Sequence, residues 1–185
     1  MTASDTRATF QSVPVPATPA RFPRRRFYGT AMQTQLNMLL LQRERVVDPG
    51  FTGRRVLGYK LPAFQRPERW TDAQCVAFLE SLWLGISPGT FMVNWSTVGD
   101  DYHYLLLDGQ QRLRALERYW DGELAVPGDD GRAYRWTELT KAEHAHFLRI
   151  PFPWIETGYT TPAQLREAYN RHNFGGTPHL PEERA

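Results

Sequence analysis

The chain has 185 residues, of which 41% are hydrophobic and 23% are charged, and these values are ordinary for one folded domain with a sizeable core. The net charge of +2 gives no argument for nucleic-acid binding, and the single cysteine, Cys75, excludes an internal disulfide and a cysteine-based zinc site. No hydrophobic run approaches the length of a membrane span and no signal-peptide core is present, so we expect a cytosolic protein with no membrane segment.

Residues 1–27 are rich in Ala, Thr, Ser and Pro and end in the basic run Arg24, Arg25 and Arg26. Such a segment has little to bury, so we predict a disordered, flexible arm followed by one folded domain over residues 28–185. The three arginines are candidates for contact with a nucleic-acid backbone, and a solvated tail is the alternative interpretation.

Hydrophobic periodicity and capping signals predict the regular elements in chain order. They are a helix over 30–45, a strand over 56–61, a helix over 71–84, strands over 89–95 and 102–107, a helix over 109–120, a loop or hairpin over 122–140, a short helix after Thr140, a strand over 150–156 and a helix from Thr161 to Gly175. Pro151 and Pro153 favour an edge position for the 150–156 strand. Together these elements predict an α+β domain with a small mixed sheet flanked by helices.

The most informative segment is the strand–helix junction at residues 108–112, Asp-Gly-Gln-Gln-Arg. A helix start presents unpaired N–H groups and the positive end of the helix dipole, so the junction suits an anion such as phosphate. Arg112 lies in the first turn and can add a charged fork to the same place. A structural alternative is that Asp108 is the N-cap and Gln111 completes a capping box, which would explain only those two residues.

Two further segments could supply ligand groups. Gln65 and Arg66 lie in a loop stiffened by prolines, although Arg66 could instead pair with Glu68. Asn173 precedes a Gly-Gly-Thr sequence, which is either a helix-ending turn or a set of polar groups for a nucleotide or a metal–phosphate.

The three segments together, Pro-x-Phe-Gln-Arg-Pro, Asp-Gly-Gln-Gln-Arg and Asn-x-Gly-Gly-Thr-Pro, resemble a known family. It is the DGQQR-motif family with a ParB/sulfiredoxin-like fold, the nucleotide-binding half of GmrSD-type modification-dependent restriction enzymes and of SspE-type phage-defence proteins. The resemblance covers residues 54–184. It implies a domain that binds ATP or GTP with Mg²⁺ and acts on or with DNA, as an NTPase where water accepts the phosphate or as a kinase where an alcohol does.

The resemblance also implies roles for individual residues. Asp108 and Arg112 would be catalytic, and Asp108 would hold the metal ion or orient the attacking hydroxyl. The residues expected to bind the nucleotide and its phosphates are Gln65, Arg66, Gly109, Gln110, Gln111 and Asn173.

Two other functions are open. One is a non-catalytic DNA-binding or regulatory module in which Trp95, Tyr102 and Tyr104 contact bases. The other is a metal-dependent DNA nuclease or nickase that uses Asp108, with Asp100 or Asp101 as further carboxylates. Relatives of the resembled family usually carry a His-Asn-His nuclease domain, and the histidines here form no such arrangement, so we expect a partner protein or a homodimer and no autonomous DNA cleavage.

Overall fold

The computed structural model describes residues 26–44, 49–97 and 99–174, without the side chain of Phe174. The strands are β1 (Thr30–Gln35), β2 (Arg55–Val56), β3 (Tyr59–Lys60), β4 (Phe91–Asn94), β5 (Leu105–Asp108), β6 (Ala125–Pro127), β7 (Ala133–Arg135) and β8 (Pro151–Thr157). The helices are α1 (Leu36–Arg43), α2 (Asp72–Trp83), α3 (Gln110–Trp120), α4 (Lys141–Leu148) and α5 (Pro162–Phe174).

Six strands form one mixed sheet in the order β1-β8-β4-β5-β3-β2. The β8–β4 and β3–β5 pairs are parallel, and the other pairs are antiparallel. Strands β6 and β7 form a separate hairpin. The prediction of a single α+β domain with a small mixed sheet flanked by helices is confirmed.

Strand β5 lies inside the sheet and is covered by helices on both faces. Leu106 belongs to the large hydrophobic core that α1, α2, α3 and α4 complete. Leu105 and Leu107 point to the other face, where they pack with Leu165 of α5. The end of β5 is therefore held in place from both sides, which fixes the position of the junction that follows it.

The N-terminal helix was predicted too long. Residues 30–35 form β1, which pairs with β8, and the helix begins only at Leu36. The edge position predicted for β8 is also wrong, because β1 covers its outer side. The prolines are tolerated because β4 pairs with β8 only from Trp154 onward, beyond Pro151 and Pro153.

Local capping signals were predicted correctly. Thr71 with Gln74 forms the capping box of α2, and Thr140 with Glu143 forms that of α4. Cys75 is buried in α2. Among the described residues, every helix is too short or too polar to cross a membrane.

Candidate functional site

The turn between β5 and α3 is shaped by Gly109. This residue has a φ of 95° and is the N-cap of α3, which has no side-chain cap. A Cβ atom at this position would lie 2.5 Å from the Cβ of Phe91, so the close approach of β4 also requires glycine. The first N–H groups of α3 are therefore left without a capping side chain just beyond β5.

The capping box between Asp108 and Gln111 is not formed. Gly109 occupies the N-cap position, so the helix begins one residue later than that box requires. The Asp108 carboxylate instead accepts a hydrogen bond from the Arg112 side chain. The side-chain oxygen of Gln111 accepts one from the backbone N–H of Arg69, in the loop between β3 and α2. Neither side chain therefore caps the start of α3, and both instead bond to groups around the junction.

A pocket of about 160 Å³ opens at this junction. Its walls come from the loop between β3 and α2, from the β5–α3 turn and from α5. The eight residues that were predicted for the nucleotide site all line it: Gln65, Arg66, Asp108, Gly109, Gln110, Gln111, Arg112 and Asn173. Trp70 and Tyr169, two aromatic residues that sequence analysis did not single out, complete the wall.

Asp108 lies between two basic side chains. Arg112 Nη2 donates to Asp108 Oδ2 at 2.8 Å, and His172 Nε2 lies 3.3 Å from the same oxygen. Burial would raise the pKa of Asp108, but the hydrogen bond from His172 and the charge of Arg112 outweigh it and leave the pKa below its ordinary value. The hydrogen bond to Asp108 raises the pKa of His172, against the opposing effect of burial. Both shifts therefore favour the charged forms, an ionised carboxylate beside a protonated imidazole.

His172 was missed as a site residue. Its contact with Asp108 joins two segments that are far apart in the chain, and sequence spacing does not reveal such a contact. The one available signal was helical spacing within α5, which places Tyr169, His172 and Asn173 on one face of the helix.

Arg112 is less free than the sequence suggested. Besides its bond to Asp108, its Nη1 lies 3.4 Å from the carbonyl oxygen of Pro88. A Cβ atom at Gly89 would lie 2.6 Å from the same nitrogen, so glycine leaves the space that the guanidinium occupies. The Asp108 carboxylate and the Pro88–Gly89 segment that precedes β4 thus fix the orientation of the Arg112 guanidinium. A ligand would meet a guanidinium that is already positioned.

Gln111 fastens the loop between β3 and α2 to α3. Its Oε1 accepts hydrogen bonds from the backbone N–H groups of Arg69 and Trp70, both at 3.1 Å. These bonds hold the loop that carries Gln65 and Arg66 against the junction. Gln111 therefore has a structural task that sequence analysis did not foresee.

Gln110 is the most unusual polar group of the pocket wall. Its side chain is only 3% exposed, and among the described residues neither its Nε2 nor its Oε1 has a hydrogen-bond partner. The Oε1 of Gln65, in the facing loop, is also buried without a partner. A buried carboxamide without partners costs roughly 1–3 kcal/mol, so these groups are suited to bonds with a bound molecule.

Arg66 and Asn173 differ in whether their side chains already have partners within the described structure. The alternative pairing of Arg66 with Glu68 is wrong, since Glu68 pairs with Arg114. Arg66 is exposed and makes no ion pair with any described carboxylate. Asn173 lies within α5, where its Nδ2 donates to the carbonyl oxygen of Tyr169 at 2.9 Å, so it is not a left-handed turn residue. The glycines and threonine that follow lie outside the described residues.

The chain offers little support for a nuclease-type metal centre. Asp108 is the only carboxylate among the lining residues, and Arg112 and His172 already contact it. Within the described ranges no group of three or more His, Cys, Asp or Glu side chains could hold a metal ion. The Asp100 carboxylate accepts a hydrogen bond from the backbone N–H of Tyr102.

The residues predicted to contact DNA have different fates. Tyr104 is only 1% exposed and stacks on Tyr59, so it belongs to the core and cannot reach a base. Trp95 is partly exposed. Arg26 is exposed and lies 3.6 Å from Glu167 of α5. Arg24 and Arg25 lie outside the described residues, and their contact with nucleic acid stays a prediction.

The fold and the pocket define a small α+β domain with a polar pocket at the turn after a central strand. The chain matches the family model described as "GmrSD restriction endonuclease, N-terminal domain" over residues 49–174. This match spans more than half of the chain, so the protein belongs to the family of GmrSD N-terminal domains. The resemblance seen in the sequence is confirmed, and with it a restriction or phage-defence role on DNA. No match was found among curated proteins or solved structures.

Proposed function

We propose that the pocket binds the phosphates of a nucleoside triphosphate, ATP or GTP, and that the domain uses this nucleotide in DNA restriction. The observation that carries the proposal is the uncapped start of α3 beside a buried carboxamide, Gln110, that has no partner among the described residues. Backbone N–H groups at a helix start bind phosphate well, since they donate hydrogen bonds along the positive end of the dipole.

The local charge supports a polyphosphate. Arg66 and Arg112 bring two positive charges to the pocket lining, against the single negative charge of Asp108, and the imidazole of His172 lies next to that carboxylate. Guanidinium groups bind phosphate oxygens through paired, charge-assisted hydrogen bonds. The net positive charge would favour an anion even though Asp108 lies in the same wall.

The size of the pocket indicates which part of the nucleotide it holds. Sites that enclose a whole small ligand measure about 300–1,000 Å³. At about 160 Å³ the pocket has room for phosphate groups, and the sugar and base would lie toward its mouth. The aromatic rings of Trp70 and Tyr169 line the same wall and could pack against them.

The reaction that fits this arrangement is phosphoryl transfer. An attacking oxygen bonds to the terminal phosphorus, the bond to the bridging oxygen breaks, and the nucleoside diphosphate leaves. Arg66, Arg112 and the start of α3 would stabilise the charge that develops on the phosphate oxygens. Mg²⁺ carried by the nucleotide would neutralise further charge, with Asp108 as the one carboxylate of the pocket able to approach it.

The first test is thermal unfolding with ATP or GTP, each with Mg²⁺. A ligand that binds only the folded state raises the midpoint by mass action, so we expect a concentration-dependent shift for the wild-type protein and a much smaller one for Arg66→Ala. Arg149→Ala removes an exposed arginine outside the pocket and should behave as wild type. No shift with either nucleotide, or equal shifts in the two variants, would contradict the proposal.

The acceptor is tested separately. Nucleotide labelled at the γ-phosphate is incubated with the protein and DNA, and the label is followed into inorganic phosphate or into the DNA. Release as inorganic phosphate identifies an NTPase, and transfer to DNA identifies a kinase.

A further inference from the structure

Many arginines of the described chain form ion pairs, for example Arg112 with Asp108, Arg118 with Asp72 and Arg171 with Glu167. A second group is exposed and forms no ion pair with a described carboxylate. Four of its members surround the loop between β3 and α2, and we call them the arginine rim: Arg54, Arg66, Arg69 and Arg166.

Direct contacts show that the rim is one surface. Arg54 Nη2 donates to the carbonyl oxygen of Gln65, which places it against the loop that carries Arg66. The guanidinium of Arg166 lies 5.9 Å from the centre of the Phe64 ring in the same loop. The backbone N–H of Arg69 donates to Gln111 Oε1, which fixes the backbone of this exposed residue at the end of the same loop.

Neighbouring carboxylates do not cancel the charge of the rim. Glu68 pairs with Arg114, and Glu167 pairs with Arg171 and Arg26. Asp108 is bound by Arg112 and His172. Each of these three described carboxylates therefore already has a basic partner, and the four guanidinium groups of the rim remain a positive surface.

One cavity elsewhere in the described structure has acidic walls. A separate cavity of about 410 Å³ lies between α2, α3, the β6–β7 hairpin and α4. Its lining includes Glu80, Asp129, Asp130 and Glu143 and contains no arginine or lysine. The net charge of +2 therefore averages over a basic rim and an acidic cavity, so the total charge does not report the local charge at either place.

We propose that the arginine rim is the surface on which duplex DNA docks through its phosphate backbone, at the mouth of the proposed nucleotide pocket. Exposed guanidinium groups that form no ion pair with a carboxylate are the side chains best suited to phosphodiester oxygens. DNA is the partner that family membership supplies, and the rim is the basic surface that meets it. Arg26, the first described residue, also lies at α5, where it contacts Glu167.

Backbone contacts of this kind position a protein on DNA without selecting a sequence. The rim therefore predicts strong salt dependence, since each phosphate contact that is lost should lower the slope of log Kd against log salt concentration by about 0.9. Arg66 belongs both to the rim and to the pocket lining, so it would lie between the DNA backbone and the nucleotide phosphates.

The test compares two double variants that remove the same charge. Arg69→Ala with Arg166→Ala removes two rim arginines that do not line the pocket, and Arg132→Ala with Arg149→Ala removes two exposed arginines elsewhere. Binding of a short fluorescein-labelled duplex is measured by anisotropy over a range of salt concentrations. We expect the rim variant to bind several-fold more weakly with a salt slope lower by about 2, and the control variant to match wild type.

Thermal shifts with ATP and GTP are measured on the same samples. The rim variant should keep the wild-type nucleotide shift, because neither changed residue lines the pocket. A lost nucleotide shift with normal DNA binding would count against the rim. The rim is also overturned if both double variants lose DNA affinity equally, if neither does, or if the wild-type protein does not bind the duplex. If the wild-type protein binds DNA as expected but shows no thermal shift with ATP or GTP, the proposed function is overturned and the rim is not.

Discussion

Gly109 is the residue on which the shape of the strand–helix junction depends most directly. Its left-handed backbone and its contact with Phe91 both oppose a side chain. Gly85 also has a positive φ, but a Cβ atom there would meet nothing within 4 Å. Comparing a substitution at Gly109 with one at Gly85 therefore distinguishes the cost of backbone strain from the cost of steric overlap.

Gly109→Ala should lower the free energy of unfolding by about 3 kcal/mol, the sum of left-handed strain and overpacking. Gly85→Ala should cost only about 1 kcal/mol, since it adds strain alone. Urea unfolding of both variants measures the difference. Equal costs would show that the junction tolerates a Cβ atom and that β4 does not approach as closely as described.

Asp108 and His172 form a pair whose charge depends on pH. Since folding raises the pKa of His172, its stabilising effect is complete below about pH 6.5 and is lost as the pH rises through the higher folded value. Since folding lowers the pKa of Asp108, its effect is complete above about pH 4 and is lost only in stronger acid. The contribution of the pair is therefore largest between these two limits.

An NMR titration of the His172 ring tests this pair. The wild-type ring should titrate above about 6.5, and Asp108→Asn should lower its pKa, because the hydrogen bond to a charged partner is the main cause of the increase. The asparagine variant is close in size, so the fold should be kept. An unchanged titration in Asp108→Asn would show that the two side chains do not interact in solution.

Among the larger elements, the loop between β3 and α2 is the part of the site that depends on one side chain. Gln111 Oε1 accepts both loop N–H groups, whereas its Nε2 has no partner in the described structure. Glutamate would keep the acceptor oxygens and would be favoured by the dipole in the first turn of α3. Methionine would keep the size and remove the acceptor.

Gln111→Glu should therefore retain nucleotide binding, and Gln111→Met should weaken it about tenfold, because two hydrogen bonds that position Arg66 are lost. Nucleotide titrations followed by calorimetry measure both. A Gln111→Glu variant that binds no nucleotide would indicate instead that this side chain touches the phosphates, since a carboxylate would repel them.

Features that depend on residues close together in the sequence could be predicted. Features that depend on contacts between residues far apart in the sequence could not. The caps at Thr71 and Thr140 use residues three positions away, and the junction at residues 108–112 is likewise a local pattern. Strand β1 was mistaken for helix because its pairing with β8 joins the two ends of the domain. The same distance hides the contact of His172 with Asp108.

For the whole molecule, the core extends beyond the segment that the family model matches. That match begins at residue 49, but β1 and α1 precede it and complete both the sheet and the large core. Leu36 of α1 is fully buried, while Leu41 of the same helix is 63% exposed. The N-terminal elements are therefore part of the folding unit.

Leu36→Ala should lower the free energy of unfolding by about 3 kcal/mol through lost burial and a cavity. Leu41→Ala makes the same chemical change on the exposed face of α1 and should cost less than about 0.5 kcal/mol. Denaturant unfolding provides both values. Equal small effects would mean that α1 is not anchored in the core.

The claim that the start of α3 binds phosphate is tested most directly by its own backbone amides. In ¹⁵N-labelled protein titrated with ATP or GTP and Mg²⁺, the largest saturable shifts should fall on Gly109, Gln110 and Gln111. The indole N–H of Trp83, in the acidic cavity, should not move. Shifts concentrated away from the β5–α3 turn, or no shifts at millimolar nucleotide, would contradict the account.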